Sequence, residues 1–208
     1  ELSNSFNNII WEDKFVIEVE YSIDVNETRP IHKFISVFES IFLNDYNGKY
    51  SDIAIVCIGT DRSTGDSLGP LVGHKLKTVS YSNVKVFGTL EDPVHAKNLY
   101  NTMNVIFDQC KSPYVIGIDA CLGRADRVGY ISIGKGPLSP GAGVNKKLPE
   151  VGNMHIKGIV NVGGFMEYLV LQNTRLNLVM KMADIISAGI RFVFWKHLSK
   201  TKGYMFDL

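Results

Sequence analysis

Long uncharged apolar runs are missing from this 208-residue chain: its most hydrophobic region, near the C-terminus, is interrupted by Lys181, Asp184 and Arg191. A bilayer-spanning helix needs roughly 20 mostly apolar residues, so no membrane role is expected. An excess of charge of one sign is missing as well. Against 22 Lys and Arg stand 21 Asp and Glu, a net charge of +1, which leaves no general basic field for nucleic acid. Cysteine is scarce. Cys57, Cys110 and Cys121 are an odd number with neither a CxxC nor a Cys/His zinc spacing, which reads as buried reduced thiols rather than disulfides or a zinc site. No signal-peptide pattern stands at the start, and the expectation is a cytoplasmic protein.

What the chain does have is a globular composition, 45% hydrophobic and 21% charged, and enough length to bury one substantial core. KFVIEVEYSIDV sets Phe15, Ile17, Val19, Tyr21, Ile23 and Val25 on one parity, the two-residue period of an edge strand or of an arm that pairs with a second copy. Pro30 then opens a helix in which Ile31, Phe34, Ile35, Phe38, Ile41 and Phe42 recur at helical spacing, a core-facing set. From Ser51 the texture changes. DIAIVCIG, NVKVFGTL and YVIGIDA are short β-rich runs separated by stretches of helical length, as buried parallel strands with crossover helices are. RVGYISIG follows too closely for a crossover and is expected to return antiparallel. After the Gly- and Pro-rich GPLSPGAGVNKKLPEVGN, HIKGIVNVGG supplies a last strand, and residues from about 165 to 197 are helical with a break near Asn173. The domain reading is an N-terminal extension or edge strand over 1–29, one α/β domain over 30–198 and a tail over 199–208.

In a right-handed doubly wound sheet the first and third of these core strands become neighbours, and sites form at strand carboxyl ends where the order reverses. Two acids fall there: Asp66, in the loop after DIAIVCIG, and Asp119, ending YVIGID. Paired carboxylates can divide general acid and base roles when their environments separate their pKa values, or can jointly hold a cation. Structural alternatives stand beside this. Asp66 or Ser67 ahead of Pro70 suits a helix cap, Asp119 alone could serve loop amides, and Asp61, Arg62, Glu91 and Asp92 read equally as solvated charges.

GTDRSTGDSLGP is not a phosphate loop: it lacks the GKS or GKT ending and does not fit GxGxxG. TGDSLGP contains GDSL, a hydrolase serine motif that would make Ser67 a nucleophile. Such enzymes place a DxxH pair near the C-terminus. Here the only DxxH is Asp92 to His95, and no GxSxG elbow is present, which favours Asp66 over Ser67.

CIGTDRSTGDSLGPLVG, GTLEDPVHAKNL, IDACLG, GPLSPGAGVNKKLPEVG and GIVNVGGFMEYLVLQNTRL together resemble sporulation proteins of the YyaC type over roughly residues 50 to 195. More distantly the chain resembles the germination protease and the hydrogenase maturation endopeptidases. The resemblance implies a three-layer α/β/α fold with a central, mostly parallel sheet, of the phosphorylase/hydrolase-like kind. It also implies that Asp66 and Asp119 are a catalytic pair, in a forespore or mother-cell protein acting on a protein or peptide. In the hydrogenase endopeptidases the matching acids and a histidine hold a nickel ion of the substrate, so a divalent metal on Asp66 and Asp119 with His95 or His155 is the metal reading. Arg62, Glu91, Gly141 and Gly143 of PGAGV, and Asn161 of VNVGG are the substrate-binding candidates. Ala142 replaces the protease's Ser and VNVGG its VPTVV-like end, so the alternative function is a non-catalytic peptide- or metal-binding protein on the same fold. A homodimer through the N-terminal strand is the oligomer expected.

Overall fold

The computed structural model describes residues 20–140 and 148–199. In chain order the elements are β1 (Glu20–Asp24), α1 (Pro30–Tyr46), β2 (Asp52–Cys57), α2 (Leu68–Leu76), β3 (Val84–Phe87) and α3 (Leu99–Gln109). There follow β4 (Pro113–Gly123), β5 (Tyr130–Lys135), β6 (Met154–Val162), α4 (Glu167–Gln172) and α5 (Leu176–Leu198). The six strands form one sheet in the order β1-β5-β6-β4-β2-β3. β2 pairs in parallel with β3 and β4, and β4 with β6. β5 is antiparallel to both its neighbours, so it alone runs against the other five. The expected reversal is therefore present, but β5 does not lie beside β4. β6, made later in the chain, separates them.

Why the central strands read as unbroken apolar runs follows from burial on both faces. Ile53, Ile55 and Cys57 of β2 join the large cluster with α1, α2 and α5, whereas Ala54, Val56 and Ile58 pack with Leu99, Met103 and Ile106 of α3. Helix α1 supplies a ladder: Phe34, Phe38 and Phe42, four residues apart, stack at centroid spacings of 5.8 and 5.9 Å and meet Phe194 of α5 and Tyr114 of β4. The break at Asn173 falls between α4 and α5. The edge strand expected before Pro30 is β1, folded onto β5 of its own chain; the part of that expectation before Glu20 lies outside the described residues, as does nearly all of the 199–208 tail.

Helix α2 sits unusually close to the sheet because its contacting residues have no side chain. A Cβ at Gly69 would run into the Ile58 carbonyl oxygen, and one at Gly73 into that of Gly88. Both obstacles are backbone and cannot swing aside. Ala is a better helix former than Gly by about 1 kcal/mol, yet Gly69→Ala is expected to lower stability by about 1–3 kcal/mol through overpacking. Guanidinium denaturation reads this directly, and a neutral or stabilising result would mean that α2 is not seated on β2 in this way.

Candidate functional site

The two central strands of the parallel core, β2 and β4, end at different heights. β2 stops at Cys57, in register with Ile118, and the Ile58 amide donates to the Ile118 carbonyl at 2.7 Å as the last tie between them. Asp119 is thus the first residue of β4 beyond the end of β2. The strand does not end there, as its sequence suggested. Ala120 to Gly123 continue by pairing with Gly158 to Val162 of β6 across an irregularity between Cys121 and Leu122. A crevice is left where β2 departs, the position at which open α/β sheets place their sites.

The departing chain folds back over that crevice. Gly59 adopts φ +138°, and a Cβ on it would strike the Asp66 carbonyl oxygen; here a glycine is required. Its amide donates to Val94, that of Thr60 to the Asp66 carbonyl at 3.0 Å, and that of Asp66 to the Ser63 carbonyl at 3.1 Å. A 3-10 turn over Gly65–Ser67 then feeds α2. Ser67 is buried, and its hydroxyl donates to the Thr64 carbonyl at 2.7 Å. It occupies the N-cap position with no capping bond of its own, because its backbone, at φ −86° and ψ −2°, is helical rather than extended. Neither Ser67 nor Asp66 caps the helix as expected. A buried serine spent on its own turn is no free nucleophile.

Both carboxyls sit in surroundings that disfavour charge. Burial pushes Asp66 up to about 6 despite a hydrogen bond from the Thr60 backbone. Asp119, only 8% exposed, is held well above the ordinary carboxylate range, first by burial and then by the charge of Asp66. The Ala120 amide, donating to its Oδ1 at 2.8 Å, opposes this only in part. Two desolvated carboxyls, one of them raised by the other's charge, resist double ionisation.

The sheet face that Asp119 shares has polar company that the sequence did not disclose. Lys157 of β6 is in register with Asp119, and its ammonium pairs with Glu20 of β1 at 2.6 Å. Lys157 and Ser132 hold the Glu20 carboxyl down at about 2 against the opposing effect of burial. Cys121, two residues past Asp119, has its thiol pushed up to about 11 by burial, with Lys157 lowering it and Asp119 and Glu20 raising it. The alternation of HIKGIV could have paired His155 with Lys157 on one face, but only the strand order reveals that this face is Asp119's.

The other candidates are dispersed. Glu91 is exposed and bound to Lys77 at 2.7 Å, a surface pair rather than a crevice group. Arg62 is exposed, its backbone amide donating to Thr60 Oγ1. The Asn161 amide is spent on the Val170 carbonyl and Thr174 Oγ1, at 3.1 and 3.2 Å, tying β6 to α4 rather than facing substrate. Buried His155 is occupied by the Gly136 carbonyl and Glu20. His95 leads into α3 with its backbone amide donating to Asn98. Among the described residues no three His, Cys, Asp or Glu gather as a metal-binding group, so neither histidine completes a site with the two aspartates. Gly141 and Gly143 lie outside the described residues. Among the described residues no helix is long and apolar enough to cross a membrane.

Known proteins share this architecture. The chain aligns with a [NiFe] hydrogenase maturation protease, HycI from Thermococcus kodakarensis KOD1, with a TM-score of 0.51 over 76% of this chain and 97% of that one at 18% identity, a likeness of fold. It is 64% identical over 138 residues to the uncharacterized protein YyaC of Bacillus subtilis (strain 168), covering 66% of this chain and 67% of that protein. The family described as "Protein of unknown function (DUF1256)" matches residues 22–189, which include every strand but the start of β1, and to that family the chain belongs.

Proposed function

We propose that this chain is a peptidase of sporulating cells, acting in the forespore or mother-cell cytoplasm, that hydrolyses a protein or peptide with Asp66 and Asp119. The observation that carries the reading is the meeting of two acids, 53 positions apart (119 minus 66), in one desolvated crevice with the more deeply buried one raised by the other's charge. Roles follow from burial. Asp119 keeps its proton and donates to the scissile carbonyl oxygen; ionised Asp66 takes a proton from water as its oxygen bonds to the carbonyl carbon. The C–N bond then breaks as the leaving nitrogen takes the proton held by Asp66 and a hydroxyl of the tetrahedral diol returns its proton to Asp119, which leaves a carboxylic acid product and restores the pair. The peptidase-like fold supports this reading, and the resemblance to sporulation proteins supports the setting. A homodimer would form on the outer edge of β1, where a strand can add. A resident metal is no part of the reading, because the described donor set stops at two carboxylates.

Two measurements bear on it. A carboxyl whose pKa is higher in the fold than in the unfolded chain binds its proton more tightly when folded. Its stabilising contribution is complete below about pH 4 and is lost as pH rises through about 6. Asp66→Asn is therefore expected to stabilise the protein at pH 7.5 by about 1–3 kcal/mol and to change little at pH 3.5, read by denaturant melts at both values. Activity should move the opposite way. Purified protein incubated with extracts of sporulating Bacillus subtilis, read by mass spectrometry of new N-termini, is expected to give cleavages that fall at least about 100-fold in Asp66→Asn and in Asp119→Asn. Identical termini from wild type and both variants would remove the peptidase reading.

A further inference from the structure

At the carboxyl edge of the sheet, large apolar side chains stand in water. Phe165 is 86% exposed, Met166 59%, Leu169 48% and Val162 41%. They line a cavity of about 440 Å³ between the end of β6 and α4. No charged residue lines it. Of its polar lining groups, Asn161 and Asn173 have their amides committed to carbonyls of α4, so little remains to select a polar occupant. The backbone there is strained: Met166 adopts φ 57° and ψ 43°, the left-handed region, just after Gly164 at φ +140°. A non-glycine residue in that region costs about 1–2 kcal/mol, and such strain concentrates at binding sites.

The wall of the cavity is packed against the turn that carries Asp66. A Cβ at Gly65, the residue before Asp66, would come within 2.8 Å of both Leu171 Cδ2 and Thr174 Oγ1, and Thr174 Oγ1 accepts from Asn161 of the cavity wall. One hydrogen-bonded step therefore separates this wall from the turn that carries Asp66. The size argues for a side chain over a subunit. A stable interface between copies takes about 800 Å² per partner, whereas this volume suits a small-ligand pocket and holds two or three side chains.

We infer that this cavity is an apolar subsite of the aspartate crevice, taking a Leu-, Met- or Phe-like side chain of an extended polypeptide whose backbone crosses Asp66 and Asp119. The inference rests on the peptidase reading for its orientation, and its test is independent of cleavage. The double variant Asp66→Asn/Asp119→Asn is presented with immobilised ten-residue peptides of Gly, Ser and Ala in which one central residue is Leu, Phe, Ser or Glu. Retention of the Leu and Phe peptides is expected to exceed that of the Ser and Glu peptides by about tenfold or more. Adding Leu169→Glu or Phe165→Ser should abolish the preference, whereas Val105→Glu, at an exposed apolar position of α3, should leave it intact. Equal retention of all four peptides, or a preference untouched by Leu169→Glu, would overturn the subsite. So would a dimer that Leu169→Glu dissociates in sedimentation while peptide retention stays unchanged, which would assign the face to a second copy. A clear preference with no cleavage by the wild type would keep the subsite and remove the peptidase, and cleavage with no apolar preference would do the reverse.

Discussion

Backbone pressed on backbone sets the geometry of this molecule. Where Gly69 and Gly73 of α2 lie against the carbonyls of Ile58 and Gly88, the helix comes nearer to the sheet than any side chain would allow, and these contacts have no rotamer with which to yield. Asp66 is carried on the turn that leads into that helix, and Gly59 lets the Asp66 carbonyl close the same loop. Its backbone is therefore referenced to β2 through rigid parts. Outside α2, helix α5 and the phenylalanine ladder of α1 supply the apolar mass that keeps the stack together.

That mass also supports a local expense. Two carboxyls removed from water and set against each other are unfavourable wherever they are ionised, and a fold keeps such a pair only if the surroundings determine it strongly. Around Asp119 the polar half of the sheet answers with order. Glu20 takes the Lys157 ammonium and a hydrogen bond with His155 to itself, so that ammonium is engaged away from Asp119. Gly134 belongs to the same arrangement, since a side chain there would press on the His155 ring at 2.7 Å.

Much of the fold was legible because its signals are local. The apolar runs of β2 and β4 announce strands buried on two faces, Pro30 starts α1, and the break near Asn173 separates α4 from α5. That Asp66 and Asp119 follow the ends of neighbouring strands could be read because a single topological rule brings the first and third strands together. Other features depend on distant partners. Nothing in YVIGIDA tells that Asp119 sits mid-strand, since the pairing that extends β4 comes from β6. Lys157 and Glu20 are unremarkable until the strand order gives them one face. Glu91 and Arg62 sit near strand ends in sequence, but their exposed side chains obey the ordinary preference of charge for water, and Ser67 is claimed by a turn whose 3-10 form no motif specifies.

The insertion of β6 between β4 and β5 has a consequence for the birth of the protein. As the chain is synthesised, β4 is finished about thirty residues before the strand that belongs on its open flank, and β5 emerges in between with β1 to join on one side and nothing yet on the other. Long-range pairing of this kind is slow to form, and a bare flank attracts other chains. Until β6 slides into that gap, Asp119 lies on an open edge of the sheet. The burial that holds its carboxyl above the ordinary range is completed only with the closing of the sheet.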